Sequence, residues 1–183
     1  MTGDTAGSMA RVLLATVVGV MPVFLLGSLS VLIAQDLPLD EQRLGLVAST
    51  FWAASALFSW PAGHLADRVG PAWALGIGAL LSATAVGGIA TSGDLGPLVA
   101  LMVVGGAGNA LIVPGCNLAV VRSLPPGRQG TAFGFKQAAL SSGVLVAGIL
   151  LPVAAAIGGW RNAFVGVGAV SYTHLTLPTT PYV

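Results

Sequence analysis

Thirteen of the 183 residues are charged, seven basic and six acidic, and apolar residues make up 55% of the chain. This charged share of 7% excludes a soluble globular domain, in which about 25% of the residues are charged, and it also excludes a disordered tail. The net charge of +1 provides no electrostatic attraction to nucleic acid, and the single cysteine, Cys116, excludes a disulfide framework or a cysteine-built metal site. The composition predicts a protein embedded in a lipid bilayer, with no cofactor.

Long uncharged stretches follow one another along the chain. They contain 24, 23, 25, 27 and 24 residues and begin after Arg11, Arg43, Arg68, Asp94 and Lys136. A helix needs about 20 apolar residues to cross the hydrocarbon layer, whereas a barrel strand needs only about 9–11. We therefore predict an all-α, polytopic membrane protein. Its five complete spans lie at about 12–34, 44–62, 72–91, 97–121 and 132–157, and a sixth begins near 163.

The predicted connections between these spans are short, at 35–43, 63–71, 92–96, 122–131 and 158–162. None has the length of an extramembrane domain, so residues 12–170 form one helical unit that follows an N-terminal segment, 1–11. The basic residues are distributed unevenly between the two sides. One side holds Arg43 and Arg161, and the other holds Arg11, Arg68, Arg122 and Arg128, with Lys136 just inside the fifth span. The excess of positive charge predicts a cytoplasmic N-terminus.

Small residues recur at helical spacing in the predicted spans. We expect close helix packing through Ser55, Ser59 and Gly63 in span two, Ala79, Ala83 and Gly87 in span three, and Gly105 and Gly108 in span four. The alternative is that glycine and alanine are simply abundant. Prolines at 22, 114 and 152 predict bends in spans one, four and five.

The most specific motif lies between spans two and three, at Gly63-His64-Leu65-Ala66-Asp67-Arg68-Val69-Gly70. It resembles the G-x-L-a-D-r-x-G signature of the major facilitator superfamily, which occupies the cytoplasmic loop between the second and third helices. The following Pro71 and Ala72 depart from that signature, which usually continues with basic residues. The alternative is an ordinary polar turn.

The resemblance implies that this loop latches two six-helix halves together and biases the access equilibrium. By the same resemblance Asp67 is the anchor, Arg68 a flanking charge, and Gly63 and Gly70 the residues that permit close approach, with Leu65 also matching. Arg122, at the end of span four, is the predicted partner of Asp67.

Two further stretches are similar to the same superfamily. Gly159–Phe164 resembles the G-W-R-x-x-F run before the sixth helix, and Phe133–Gln137 resembles a segment that opens the fifth helix in some bacterial members. The fifth span departs from the glycine–proline pattern of the drug/proton antiporter branch. The resemblance implies a bacterial plasma membrane and a small-molecule substrate.

Four polar residues are candidates for the substrate path. Lys136 lies about five residues, or roughly 7–8 Å, inside span five, where an ionisable side chain is a candidate for binding an anionic substrate. The alternative is that Lys136 snorkels to the cytoplasmic headgroups. Its neighbour Gln137 points about 100° away around the helix. Asn109 and Asn117 share a face of span four, where either a substrate contact or an interhelical hydrogen bond satisfies a buried amide.

The last 13 residues, 171–183, differ in composition from the rest. They contain both tyrosines, four threonines and two prolines, but no glycine or alanine. We interpret them as a non-native tail and 12–170 as an incomplete N-terminal half whose opposing half is missing.

The predicted function is that of a permease which moves a small solute by alternating access. The alternative is a small multipass structural or assembly protein that is complete as given. An enzyme is disfavoured because no acidic pair, metal site or nucleophile with a base is predicted at membrane depth.

Overall fold

The structure is a computed structural model that describes residues 2–156 and 158–176, with side chains described for 7–156 and 158–172. These residues form seven helices and no strand, which confirms the all-α prediction. The helices are α1 (Thr2–Ser28), α2 (Ser30–Asp36), α3 (Glu41–Val69), α4 (Pro71–Ile89), α5 (Leu95–Ser123), α6 (Pro126–Ala156) and α7 (Trp160–Thr176).

The first predicted span, 12–34, consists of α1 and α2, which meet at Leu29. The backbone N–H of Leu29 donates to the Leu25 carbonyl at 2.8 Å, and the N–H of Ile33 donates to the Leu29 carbonyl at 2.9 Å. The helical hydrogen bonding therefore continues through the junction, which is a local irregularity in one span. The helix begins at Thr2, ten residues before the predicted start of the span at 12.

Four of the described helices are long and apolar enough to cross a membrane, at Gly7–Ser28, Pro71–Ile89, Leu95–Ser123 and Pro126–Ala156. The sequence predicted five complete spans, and the difference is α3, which has 29 residues. Three serines, one threonine and two tryptophans interrupt the apolar residues of α3, and its ends are charged. Its length suffices for a crossing, but its composition is less apolar than that of the other four.

The helices are longer than the spans predicted from hydropathy. The connection predicted at 63–71 is helical to Val69, and only Gly70 separates α3 from α4. The connection predicted at 122–131 shrinks to residues 124–125, because α5 continues to Ser123 and α6 begins at Pro126. Hydropathy marks the hydrocarbon core, whereas helices end where a residue breaks the hydrogen-bond pattern, such as Gly70 before Pro71. The sixth span begins at Trp160, three residues before the predicted 163, and α7 continues without a break past 171 to Thr176.

Helix α5 lies at the centre of the bundle and packs along α3, α4 and α1. A Cβ atom added at Gly106 would collide with the Phe51 carbonyl oxygen of α3. One added at Gly108 would lie 2.6 Å from the Gly78 carbonyl oxygen of α4. A Cβ atom added at Gly105 would lie 3.0 Å from the Pro22 ring of α1. The approaches at Gly105 and Gly108 confirm the packing residues predicted for span four. In span two the prediction is wrong beyond Ser55, because Ser59 is exposed and a Cβ at Gly63 meets no atom within 4 Å.

We name the two ends of the bundle by the residues that lie there: the motif end contains Gly63–Gly70, and the Trp160 end contains Trp160. At the motif end, the Ser8 and Ser123 hydroxyls lie 3.0 Å apart, and Gly70 lies close to Arg122. At the Trp160 end, the α2–α3, α4–α5 and α6–α7 connections meet, and Trp160 hydrogen-bonds to Asp36. A core of leucine, isoleucine, valine and aromatic side chains, including the fully buried Phe51, fills the half of the bundle nearest the Trp160 end.

Candidate functional site

Lys136 and Asn117 form a cross-helix pair. The Lys136 ammonium on α6 donates a hydrogen bond to the Asn117 side-chain oxygen on α5, with the two atoms 2.7 Å apart. Both side chains are partly buried. Helix α6 begins at Pro126, so Lys136 lies ten residues, or about 15 Å, along it, further than the five residues predicted from a span start at 132. Because it donates to Asn117, the ammonium is directed towards α5.

The chemistry of this pair suits an anion. An ammonium has three N–H donors, and Asn117 accepts one of them, so two remain for other acceptors. The Asn117 side chain also brings its own NH₂ donors to the same place. The pair therefore presents one positive charge and several hydrogen-bond donors at one point between α5 and α6, and the surrounding helices contribute no carboxylate ion pair to Lys136 within 4.0 Å among the described residues.

Asn109 occupies a different environment. Its side-chain nitrogen donates to the Ser55 hydroxyl on α3 at 2.9 Å, and the residue is only 6% exposed. A Cβ atom built at Gly19 of α1 would lie 3.2 Å from its side-chain oxygen. Asn109 therefore lies where α1, α3 and α5 meet, with its amide engaged in an interhelical hydrogen bond. Gln137 is exposed on α6, away from the buried side of that helix.

The motif residues lie on the last two turns of α3. Ala66 is fully buried, whereas Asp67 and Arg68 are exposed and Leu65 is 40% exposed. Gly70 has a φ of 85°, a conformation that favours glycine, and its N–H donates to the Ala66 carbonyl at 2.9 Å. The requirement for glycine at this position is therefore conformational.

The predicted partner of Asp67 lies beside the motif. The Arg122 guanidinium nitrogen would lie 3.9 Å from a Cβ atom built at Gly70. The ion pairs within 4.0 Å among the described residues are Arg43–Asp40 and Arg161–Asp36, so Arg122 does not pair with Asp67 at that distance. A Cβ atom built at Gly63, which was predicted to permit close approach, meets no atom within 4 Å, so the described residues make no close approach there.

Two polar clusters are not predicted by the sequence pattern. Thr16 of α1 and Cys116 of α5 are buried together, with the hydroxyl and the thiol 3.6 Å apart. At the Trp160 end, the Trp160 indole N–H donates to the Asp36 carboxylate at 2.8 Å. The sequence signal for the second cluster was the tryptophan–arginine pair before the sixth span, but nothing in it indicated Asp36 as the acceptor. In the part of the chain that the structure describes, no three His, Cys, Asp or Glu side chains are grouped to hold a metal ion.

The long apolar helices, their close glycine contacts and the partly buried cation define the class, a multipass helical membrane protein. The model of the Major Facilitator Superfamily matches residues 12–178, and the chain belongs to this family of transporters. The match continues seven residues past 171, where the sequence predicted a non-native tail, and residues 177–183 of that tail lie outside the described residues.

Curated proteins similar to this chain are transport and resistance proteins. A probable sulfoacetate transporter of Cupriavidus necator is 31% identical over 140 residues, 76% of this chain and 33% of the relative. The hexuronate transporter of Escherichia coli K12 is 25% identical over 163 residues, 89% of this chain and 38% of the relative. The quinolone resistance protein NorA of Staphylococcus aureus is 26% identical over 130 residues, 71% of this chain and 31% of the relative. The chain thus spans about a third of the length of these relatives.

Proposed function

We propose that this chain is the N-terminal part of a secondary active transporter that carries a small organic anion across a bacterial plasma membrane. The single observation that carries the proposal is the Lys136–Asn117 pair, a partly buried cation between α5 and α6 with two N–H donors left for other acceptors. Family membership supports transport as the activity. Two relatives are named for sulfoacetate and hexuronate, both of which are anions.

Alternating access is the proposed mechanism, with the substrate site between this bundle and an opposing half that the chain does not contain. Lys136 attracts and neutralises the anion, and Asn117 holds the ammonium in place and donates from its own amide. Asn109 and Gln137 have lesser roles: Asn109 keeps α5 against α3 and α1, and Gln137 lines the substrate path from the exposed side of α6. Because each half contributes one wall of the site, residues 1–183 alone are expected to show no uptake.

The motif at the end of α3 is proposed to control the access equilibrium. Asp67 is exposed and free to accept hydrogen bonds from the opposing half, and Arg122, which lies beside Gly70 three residues further along the motif, is its proposed partner. Arg68 adds a flanking cation, and the left-handed Gly70 sets the direction in which α4 leaves the motif. The N-terminus is proposed to lie in the cytoplasm, on the same side as the motif.

The experiment that tests this proposal is uptake of a labelled organic anion by the complete permease in proteoliposomes. Lys136→Gln removes the charge and keeps a polar side chain, so uptake is expected to fall about tenfold or more, as for the loss of a charge-assisted hydrogen bond. Lys136→Arg keeps the charge and is expected to retain part of the uptake.

The matched control is Arg128→Gln, which removes an exposed cation from the first turn of the same helix. It is expected to leave uptake within about twofold, because exposed charges are screened by solvent and salt. Equal uptake by the wild type and the Lys136→Gln variant would remove Lys136 from the substrate site.

A further inference from the structure

A second polar cluster lies at the Trp160 end, far from Lys136, and the proposed transport site does not use it. One nitrogen of the Arg161 guanidinium donates to the Ala90 carbonyl at 2.8 Å and to the Ser92 carbonyl at 2.9 Å. Helix α4 ends at Ile89, so the Ala90 carbonyl lies at the end of a helix, where acceptors have no partner within the helix, and the Ser92 carbonyl lies in the connection to α5. A cation is favoured at such an end, and Arg161 supplies it from α7, about 70 residues later in the chain.

Trp160 connects the same cluster to a third element. Its indole N–H donates to the carboxylate of Asp36, the last residue of α2, at 2.8 Å. The Arg161 side chain lies 3.9 Å from that carboxylate and 4.3 Å above the Trp160 ring. Trp160 is 2% exposed and packs edge-on against Phe164, with ring centroids 5.8 Å apart. One tryptophan is therefore fixed by a hydrogen bond, a cation over its ring and an aromatic contact.

Two glycines between α6 and α7 lead directly into this cluster. Gly158 and Gly159 have φ values of 92° and 112°, which side chains with a Cβ atom rarely adopt. The N–H of Gly159 donates to the Ala154 carbonyl at 2.8 Å and closes the end of α6. This tight reversal starts α7 with the Trp160 side chain turned into the bundle.

We propose that Trp160 and Arg161, with Asp36, Ala90 and Ser92, form a clamp that fixes the ends of α2, α4 and α7 to one another. We call this set the Arg161 clamp. It ties three helices that are distant in sequence, and all of its contacts lie within this one bundle. The clamp therefore holds the ends of α2, α4 and α7 together at this end of the bundle. Arg161 is its positioning residue, and the inference does not depend on which solute the protein carries.

The neighbouring Arg43 shows by contrast what is particular to Arg161. Arg43 also pairs with an aspartate, Asp40, at 3.6 Å, and donates to the Pro38 carbonyl at 2.7 Å. Both partners lie within five residues of Arg43, so these contacts close only the start of α3. The two arginines are similarly exposed, at 46% for Arg43 and 39% for Arg161, which makes Arg43 a matched control.

Cysteine labelling in membranes tests the clamp. Ser92 is 2% exposed, so a Ser92→Cys thiol in a Cys116→Ser background is expected to react slowly with N-ethylmaleimide. Arg161→Ala removes the hydrogen bonds to the Ala90 and Ser92 carbonyls. It is expected to raise the labelling rate of the thiol at residue 92 about tenfold, because the segment that contains this residue opens locally. Arg161→Lys offers a single point charge and is expected to give an intermediate rate, and Arg43→Ala a rate within about twofold of the parent.

The native thiol separates a local opening from loss of the fold. Cys116 is fully buried between α1 and α5, and in an otherwise native chain its labelling is expected to stay slow when Arg161 is replaced by alanine. The clamp is overturned if Arg161→Ala leaves the rate at residue 92 unchanged, or if it accelerates Cys116 and residue 92 alike. It is also overturned if the Ser92→Cys thiol reacts at its detergent-unfolded rate while Arg161 is present. Because none of these readouts is uptake, the clamp and the proposed transport function fail independently.

Discussion

Replacing Gly106 by alanine tests whether close backbone approach holds the centre of the bundle together. The added Cβ atom would collide with the Phe51 carbonyl oxygen and lie 2.9 Å from the Ala54 side chain, so α3 must move away from α5. The Phe51 carbonyl oxygen is a backbone atom, so a change of side-chain rotamer cannot relieve the collision. Overpacking of this kind lowers the free energy of unfolding by about 1–3 kcal/mol. Alanine also gains about 0.5–1 kcal/mol over glycine inside a helix, which partly offsets that cost.

The control that isolates the steric cost is Gly148→Ala on α6, where a Cβ atom meets nothing within 4 Å. Both substitutions change helix propensity equally, so the difference between their free energies of unfolding reports the collision alone. We expect Gly106→Ala to be less stable than Gly148→Ala by about 1–3 kcal/mol, measured by denaturant unfolding in mixed micelles with circular dichroism. Equal stability of the two variants would refute the close approach of α3 and α5.

Asn109, Gly70 and Asn117 each offer a further test. A double-mutant cycle of Asn109→Ala and Ser55→Ala, measured by unfolding in micelles, is expected to give a coupling of about 0.6 kcal/mol, typical of interhelical hydrogen bonds in membranes; additive effects would contradict the bond. Gly70→Ala is expected to destabilise the chain by about 1–2 kcal/mol in the same assay because φ is 85°, and a neutral effect would contradict that conformation. Asn117→Leu is expected to weaken anion uptake by the complete permease with Lys136 still present, by an increase in KM more than a fall in kcat; an unchanged KM would contradict a positioning role for Asn117.

The spacing of charges carried most of the information about the fold. Uncharged stretches of more than 20 residues locate the helices because a charge in the hydrocarbon layer is costly, and the structure has a helix in each stretch. The ends of the helices were harder to predict. The polar motif at Gly63–Gly70 predicts a loop, yet it continues α3 to Val69, because polar residues at a membrane surface remain helical until a glycine or proline intervenes.

Side-chain partners were predictable only where sequence spacing fixes them. That Asn109 and Asn117 share a face follows from helix geometry, but which helix each faces depends on how α5 rotates against its neighbours. Glycine contacts set that rotation: Asn109 meets Ser55 beside the close approach of Gly106 to α3, and Asn117 meets Lys136 on α6. Such three-dimensional packing leaves no periodic signal in one sequence. The hydrogen-bond acceptor of the Trp160 indole could not be predicted for the same reason, since Asp36 lies 124 residues earlier in the chain.

The charge preference of transport by the complete permease in proteoliposomes decides whether Lys136 selects the substrate. Uptake is measured for labelled sulfoacetate and hexuronate, with uncharged analogues of similar size as competitors. We expect uptake of at least one anion, inhibition by other small organic anions, and little inhibition by the uncharged analogues. If uncharged analogues inhibit uptake as strongly as anions do, a cation on α6 does not select the substrate.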